Sequence, residues 1–299
     1  MSEARWPRLE GERIAPGVHW LQIADSSWDT SLGAHVTIVG DSNEVLVIDT
    51  AYDEHAAAGF IAGYLAGLGN PTVQAILLTH HHRDHSGGAG RLRKATGGPI
   101  RCHALEAPLV REATAIEAKD DQPAVAGIEV DGSIEDGERL QAGGVEVVVV
   151  HTPGHAPGHC CFFLPASGLM LSGDLVLGNA TTSVSAPHGN MDDLLRSLAH
   201  LLDFPMTTIV PAHGPLIHDP RENVESVLAH RHEREEQVIA ALEAGDDQPA
   251  AIVTRVYPGL EEKLVELAGK QVTSILAKLE RDGRVSGSGE GEERRWRRA

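Results

Sequence analysis

Cysteine is scarce: the 299-residue chain has three, and Cys102, Cys160 and Cys161 form neither a disulfide framework nor a CxxC metal knuckle. They read as small buried hydrophobes in a reducing compartment. Long apolar runs are absent too. Val145 to Val150 is interrupted by Glu146, far short of the roughly 20 residues a membrane span needs. Met1 to Glu10 carries no apolar signal core, so a cytoplasmic protein with no membrane partner is expected. Positive charge is in deficit, with 25 Lys and Arg against 43 Asp and Glu and a net charge of -18. That balance repels polyanions and argues against a broad basic surface for duplex nucleic acid. Aromatics make up only 4%, although they are a usual filling for a core. At 41% hydrophobic and 23% charged the composition is that of a globular chain, which excludes collagen-like, coiled-coil and disordered classes. What is abundant is histidine, 17 in all, the commonest side-chain metal ligand.

Hydrophobic periodicity predicts short strands at Val18–Ile23, Ala34–Val39 and Val45–Ile48, a helix over Glu54–Leu68 before Gly69-Asn70-Pro71, and a buried strand Val73–Leu78 that ends in Thr79. The order recurs weakly later. Leu169–Leu171 ends in Ser172-Gly173-Asp174, Met191–Asp203 reads as a helix, and Thr208–Val210 ends in Pro211-Ala212-His213. In a layered α/β fold the carboxyl ends of strands converge on one rim, where sites are built. From Val224 the pattern turns helical, to Glu243, over Pro249–Val256 and over Leu260–Leu279, and Asp282-Gly283 and a polar tail follow. This is the order of a winged helix. The predicted division is therefore a catalytic domain over 1–223 and a winged-helix-like domain over 224–299. The latter carries 12 Lys and Arg against 15 Asp and Glu, a poor nucleic-acid footprint, and the Arg-Trp-Arg-Arg tail is expected to be a disordered, solvated end.

The strongest signal is Thr79-His80-His81-His82-Arg83-Asp84-His85-Ser86-Gly87-Gly88. Four His and one Asp in six residues are not core material, because buried without partners each costs about 1–3 kcal/mol, whereas a divalent metal satisfies them. Alternate residues share a face, so His80 and His82 grip one ion, Asp84 and His85 turn to a second, and His81 and Arg83 point elsewhere. Three apolar strands lead to further donors: Val147–Thr152 to His155, Leu169–Ser172 to Asp174, and Ile209 to His213. A catalytic zinc wants N and O donors with one position open. The inventory fits two ions, His80, His82 and His155 on one and Asp84, His85 and His213 on the other, with Asp174 bridging. His159 is expected to be structural, His188 to be a solvated loop residue, and His230 and His232, at i and i+2 on a helix, to form no second metal site.

The HxHxDH run with His155, Asp174 and His213 resembles the metallo-β-lactamase fold superfamily over about Ile14 to Arg221. The resemblance implies a four-layer αββα sandwich with its metals at one edge, and in Asp49 the carboxylate that such proteins place behind the first His ligands. The bridging Asp is similar to that of glyoxalase II-like, ribonuclease and thioesterase members rather than of authentic β-lactamases. Ser172-Gly173-Asp174-Leu175-Val176-Leu177-Gly178, Thr181-Thr182, Ala212-His213-Gly214-Pro215-Leu216-Ile217 and His230-Arg231-His232-Glu233-Arg234-Glu235 resemble the β-lactamase-like protein 2 group, which also carries a C-terminal winged helix. The chain departs from its relatives at Ser31-Leu32-Gly33-Ala34-His35-Val36, at His155-Ala156, at Ala212, and at Met191-Asp192-Asp193-Leu194-Leu195, where many relatives carry a Tyr.

The expected function is a dinuclear zinc-dependent hydrolase, in which a hydroxide bridging two Zn2+ ions (with Fe or Mn as alternative metals) cleaves an ester, thioester or phosphodiester and Asp84 both ligates and orients the nucleophile. The partners this implies are a small-molecule ester or thioester, or single-stranded RNA, and the C-terminal module could lid the cleft or mediate a homodimer. The alternatives are a single-strand endoribonuclease of the β-lactamase-like protein 2 type, a mononuclear iron persulfide dioxygenase using two His and one Asp, and a β-lactam or lactone hydrolase.

Overall fold

The computed structural model describes residues 9–23, 34–53, 55–116, 126–291 and 294–299. Ser31 to Gly33 of the divergent loop therefore lie outside the described residues, as does Glu54 at the start of the first expected helix. Contacts divide the chain into two compact units, one of Met1–Thr152, Gly158–Ala180 and Pro205–Pro220, the other of Pro153–Pro157, Thr181–Phe204 and Arg221–Ala299.

The first unit is built on two sheets. Seven strands, β1 (Leu9–Ala15), β2 (Val18–Ile23), β3 (Ala34–Gly40), β4 (Glu44–Ile48), β5 (Thr72–Leu77), β6 (Ile100–His103) and β7 (Gly132–Ile134), lie in sequence order. The pairs from β1 to β4 are antiparallel, and β4, β5, β6 and β7 run parallel. Five more, β8 (Arg139–Ala142), β9 (Val145–His151), β10 (Cys160–Leu164), β11 (Leu169–Gly173) and β12 (Thr208–Pro211), form a second sheet in the order β12-β11-β10-β9-β8.

Two hydrophobic layers hold this unit together. One packs Val36, Ile38, Val45, Val47 and Ile76 against Ala57, Ile61 and Leu65 of helix α1 (His55–Gly67), Leu92 of α3 (Ala89–Thr96) and Val110 of α4 (Ala107–Thr114). The other joins the sheets face to face, with Trp20, Leu46, Ile48 and Leu77 meeting Val147, Val149, Phe162, Leu164 and Leu171. Every residue of β10 and β11 is buried, which explains why β10 and Leu169–Leu171 of β11 are continuous apolar runs with no alternation. The cysteines are buried, free thiols, as the sequence suggests, with Cys102 in the first layer and Cys160 in the second.

The direction of the strands places the chemistry. Asp49 follows β4 and Thr79-His80 follows β5, and these two strands are parallel. In the second sheet Asp174 follows β11 and His213 follows β12, again parallel, while β9, two strands from β11 across the antiparallel β10, runs the same way as β11. Carboxyl ends thus gather on common edges.

The second unit holds α5 (Met191–Leu201), α6 (Pro220–Glu243), α7 (Pro249–Val256), α8 (Glu262–Arg281) and a hairpin of β13 (Val285–Ser288) with β14 (Arg295–Arg298). The side chain of Asn190 caps α5 by accepting from Asp192 and Asp193 N–H, and the two aspartates in the first turn complement the helix dipole. The C-terminal tail departs from the expected disordered end. Trp296 is buried and its N–H reaches Asp247 O at 2.9 Å, so Arg295–Arg298 pairs as a strand. Three of the four flanking arginines are neutralised by acids, Arg294 by Glu280 at 2.8 Å, Arg295 by Asp247 at 2.8 Å and Arg298 by Glu243, while Arg297 donates to Ser286 Oγ at 3.1 Å. Among the described residues no helix is long and apolar enough to cross a membrane.

Candidate metal centre

The turn after β5 gives the first donors. Gly87 and Gly88 close a short helix, α2 (Arg83–Ser86), and a Cβ on Gly88 would stand 2.4 Å from Thr50 O. The loop is thereby pressed onto the segment after β4, with Thr50 N–H donating to His85 O at 2.8 Å. Asp49 sits there at φ 59°, a left-handed conformation that Asp tolerates better than most residues. Its carboxylate accepts from Thr79 N–H at 2.8 Å, from Thr79 Oγ1 at 2.9 Å and from His85 Nδ1–H at 2.8 Å. Thr79 Oγ1 lies 3.0 Å from His80 Nδ1. Having donated to Asp49, the hydroxyl accepts from that ring. One carboxylate and one hydroxyl therefore set the tautomers of both imidazoles, leaving each Nε2 as the donor to an ion. The expectation for Asp49 carries over as geometry.

Four side chains, His80, His82, His155 and Asp174, offer ligand atoms that all lie within 4.8 Å of one another, and Asp84, His85 and His213 form a second such group. His80 Nε2 is 2.8 Å from His82 Nδ1. His155 Nδ1–H donates to Ser183 O at 2.7 Å, which reserves its Nε2. Asp174 Oδ1 stands 3.4 Å from Nε2 of both His85 and His213, and Asp84 Oδ2 stands 3.2 Å from His213 Nε2. All seven expected donors thus fall into two groups, with Asp174 next to both.

Burial penalises charge on His85, but the carboxylates of Asp84, Asp174 and Asp49 outweigh it and hold its pKa well above the ordinary value. His213 is raised against its burial by Asp174 and Asp84. Asp84 is lowered although burial opposes this, because His85 and His213 face it. Three carboxylates converging on buried imidazoles make a site that favours a cation, and an ion entering it displaces protons. His85 Nε2 is buried without a hydrogen-bond partner, as a ligand nitrogen would be, and the N and O donor set suits a divalent transition metal.

Four residues that shape the centre lack a local sequence signal. His81 turns away from the centre as expected, and what it meets is Glu106, wholly buried, which accepts from His81 N–H at 2.8 Å, from His81 Nδ1–H at 2.6 Å and from Gly158 N–H at 2.7 Å. Nothing in the sequence links residues 25 and 52 positions apart. His159, expected to be structural, accepts Asp174 N–H on Nε2 at 3.1 Å and meets Thr152 Oγ1 through Nδ1 at 2.9 Å. Gly173 must be glycine, since at φ 50° a Cβ would come within 2.6 Å of His159 Nε2. His35, in the divergent loop, is bound to Pro211 O through Nδ1–H at 2.8 Å. Arg83 and His188 are exposed, and neither His230 nor His232 belongs to a ligand group.

Residues 30–213 match the family model described as metallo-beta-lactamase superfamily, and residues 249–296 match a beta-lactamase associated winged helix domain. An atrochrysone carboxyl ACP thioesterase from a Cryptosporiopsis species is 30% identical over 296 residues, covering 94% of this chain and 84% of that protein. A beta-lactamase-like protein 2 homolog from Drosophila melanogaster is 27% identical, covering 86% of this chain and 85% of its own length. A metallo-beta-lactamase family protein of known structure from Thermus thermophilus is 26% identical, with a TM-score of 0.76 over 96% of this chain and 100% of that one.

Proposed function

The chain belongs to the metallo-beta-lactamase superfamily and is a hydrolase of that fold; from this premise we propose that it is a dinuclear zinc enzyme that cleaves an acyl thioester. The observation that carries the reading is the position of Asp174, whose Oδ1 stands 3.4 Å from the Nε2 atoms of His85 and His213 while its carboxylate also belongs to the group of His80, His82 and His155. A single carboxylate shared by two sets of nitrogen donors is the arrangement a bridged pair of cations needs. His80, His82 and His155 would hold one ion, Asp84, His85 and His213 the other. When bound, such a pair acidifies a water and polarises the scissile carbonyl. The chain's own groups do the rest. Asp84 turns Oδ2 toward His213 and keeps a second carboxylate oxygen to orient the attacking water. Asp49, through Thr79, fixes the rings of His80 and His85, so the donors need not reorganise during the reaction.

A thioester is favoured over RNA for two reasons. The relative from Cryptosporiopsis is named a thioesterase, and Arg294, Arg295 and Arg298 are paired with Glu280, Asp247 and Glu243 instead of standing open to phosphates. The division into a catalytic domain over 1–223 and a winged-helix-like domain over 224–299 is part of the proposal, supported by the two matched segments. Buried free thiols suit a cytoplasmic location.

The test is metal analysis joined to a substrate panel of acyl thioester, lactone, β-lactam and single-stranded RNA, run on the wild type and on His82→Ala. Two zinc ions per chain and thioester cleavage lost in the variant are expected. One iron per chain with oxygen uptake, or RNA cleavage in preference to thioester, overturns the reading.

A further inference from the structure

In the second unit, α6, α8 and the segment Thr181–Ser183 line a cavity of about 190 Å³. Its walls are apolar and partly open to solvent, with Leu264 38% and Leu267 46% exposed. Beside the hydroxyls of Thr181, Thr182, Ser183 and Tyr257 and the His230 imidazole, its charged residues are of one sign. Arg231, Arg234 and Gln271 line it, and Arg231 Nε, Arg234 Nε and Gln271 Nε2 are each buried without a hydrogen-bond acceptor. The other ends of these side chains are accounted for. Arg231 Nη2 donates to Thr182 O, Gln271 Oε1 accepts Val184 N–H at 3.0 Å, and Arg234 donates through Nη1 to Gln237 Oε1 and, at 3.4 Å, to Val256 O, with its guanidinium 4.7 Å over the Tyr257 ring.

Among the described residues no Asp or Glu lines the cavity. This stands out in the unit, because Arg255, Arg281, Arg284, Arg294, Arg295 and Arg298 all pair with carboxylates. Among the described residues no such ion pair includes Arg231 or Arg234. Burial pulls Arg231 down to about 10, the mark of a cation held out of water without a counter-ion. A buried guanidinium of this kind is costly unless an anion completes it, and none of the carboxylates lining or pairing in this unit does so among the described residues.

We propose that the cavity binds a small organic carboxylate, its carboxylate on Arg231 and Arg234 and its apolar body against Leu264 and Leu267. Guanidinium forks match carboxylates, and apolar walls with a few convergent polar groups are the usual make-up of a small-molecule site. A space of about 190 Å³ admits a short aliphatic carboxylate such as hexanoate. The proposal does not depend on the hydrolytic reading, although Ser183, whose carbonyl holds His155, is among the lining residues.

The experiment is a ligand-observed NMR titration of the metal-loaded full chain with hexanoate and with its neutral isostere hexanamide, repeated on Arg231→Gln and Leu267→Asp. Hexanoate should bind at least tenfold more tightly than hexanamide, and each substitution should weaken it at least tenfold. Equal binding of the two ligands overturns the proposal. So does hexanoate binding that survives both substitutions, as coordination at the metal centre would, and so does displacement by inorganic phosphate at equal concentration. If Arg231→Gln fails to fold, Leu267→Asp decides, because its side chain is half exposed and the change leaves the core intact.

Discussion

Glu106 offers a direct test of how the metal loop is held. Glu106→Ala removes a wholly buried carboxylate that accepts three hydrogen bonds, two from His81 and one from Gly158. Two of the donors are backbone N–H groups with nowhere else to turn. Leaving a buried donor unsatisfied costs about 1–3 kcal/mol, so two of them cost about 4 kcal/mol, against a total stability on the order of 5–15 kcal/mol. At a urea slope of about 3 kcal/mol/M this lowers the unfolding midpoint by roughly 1.3 M. Glu106→Gln keeps one oxygen and the shape, and should lose about 1–2 kcal/mol. The measurement is urea unfolding of the metal-loaded proteins followed by circular dichroism, with zinc content determined in parallel. A loss below about 1 kcal/mol for Glu106→Ala, with the unfolding slope unchanged, would refute the argument that this carboxylate pins His81 to the Gly158 loop.

Asp174→Ala should lower bound metal from two ions to at most one and abolish turnover with it; two ions retained per chain would show that this carboxylate is not shared. His35 supplies a pH test. Burial holds its pKa down to about 4, against the opposing hydrogen bond to Pro211 O. Its contribution to stability is therefore complete above the unfolded value near 6.5 and is lost as pH falls from there toward 4. The full effect is on the order of 3 kcal/mol. His35→Asn should flatten the fall in stability over that window, and parallel curves for the two proteins would sink the assignment.

The elements legible in the sequence are those whose pattern is local. The expected strand Val18–Ile23 and helix Pro249–Val256 stand at those bounds as β2 and α7, and Leu260–Leu279 appears shifted by two residues at each end as α8. β1 escapes because its exposed middle, Glu10 to Arg13, shows no alternation, and β7 because three residues carry no period at all. The strand at the C-terminus escapes for another reason. Its run of arginines resembles a solvated tail until the acids at Glu243, Asp247 and Glu280 are known to face it.

Which seven side chains are candidate donors was legible in the sequence alone, since four His and one Asp crowded into six residues, with further His and Asp at the ends of other apolar strands, make the N and O inventory that two ions need. Tertiary structure decided everything that depends on a partner far along the chain: that Asp174 stands beside both groups, that Glu106 anchors His81, and that Arg231 and Arg234 face a cavity without an acid. Spacing along a chain encodes direction only over a few residues, whereas a buried polar group is defined by whichever atoms folding brings to it.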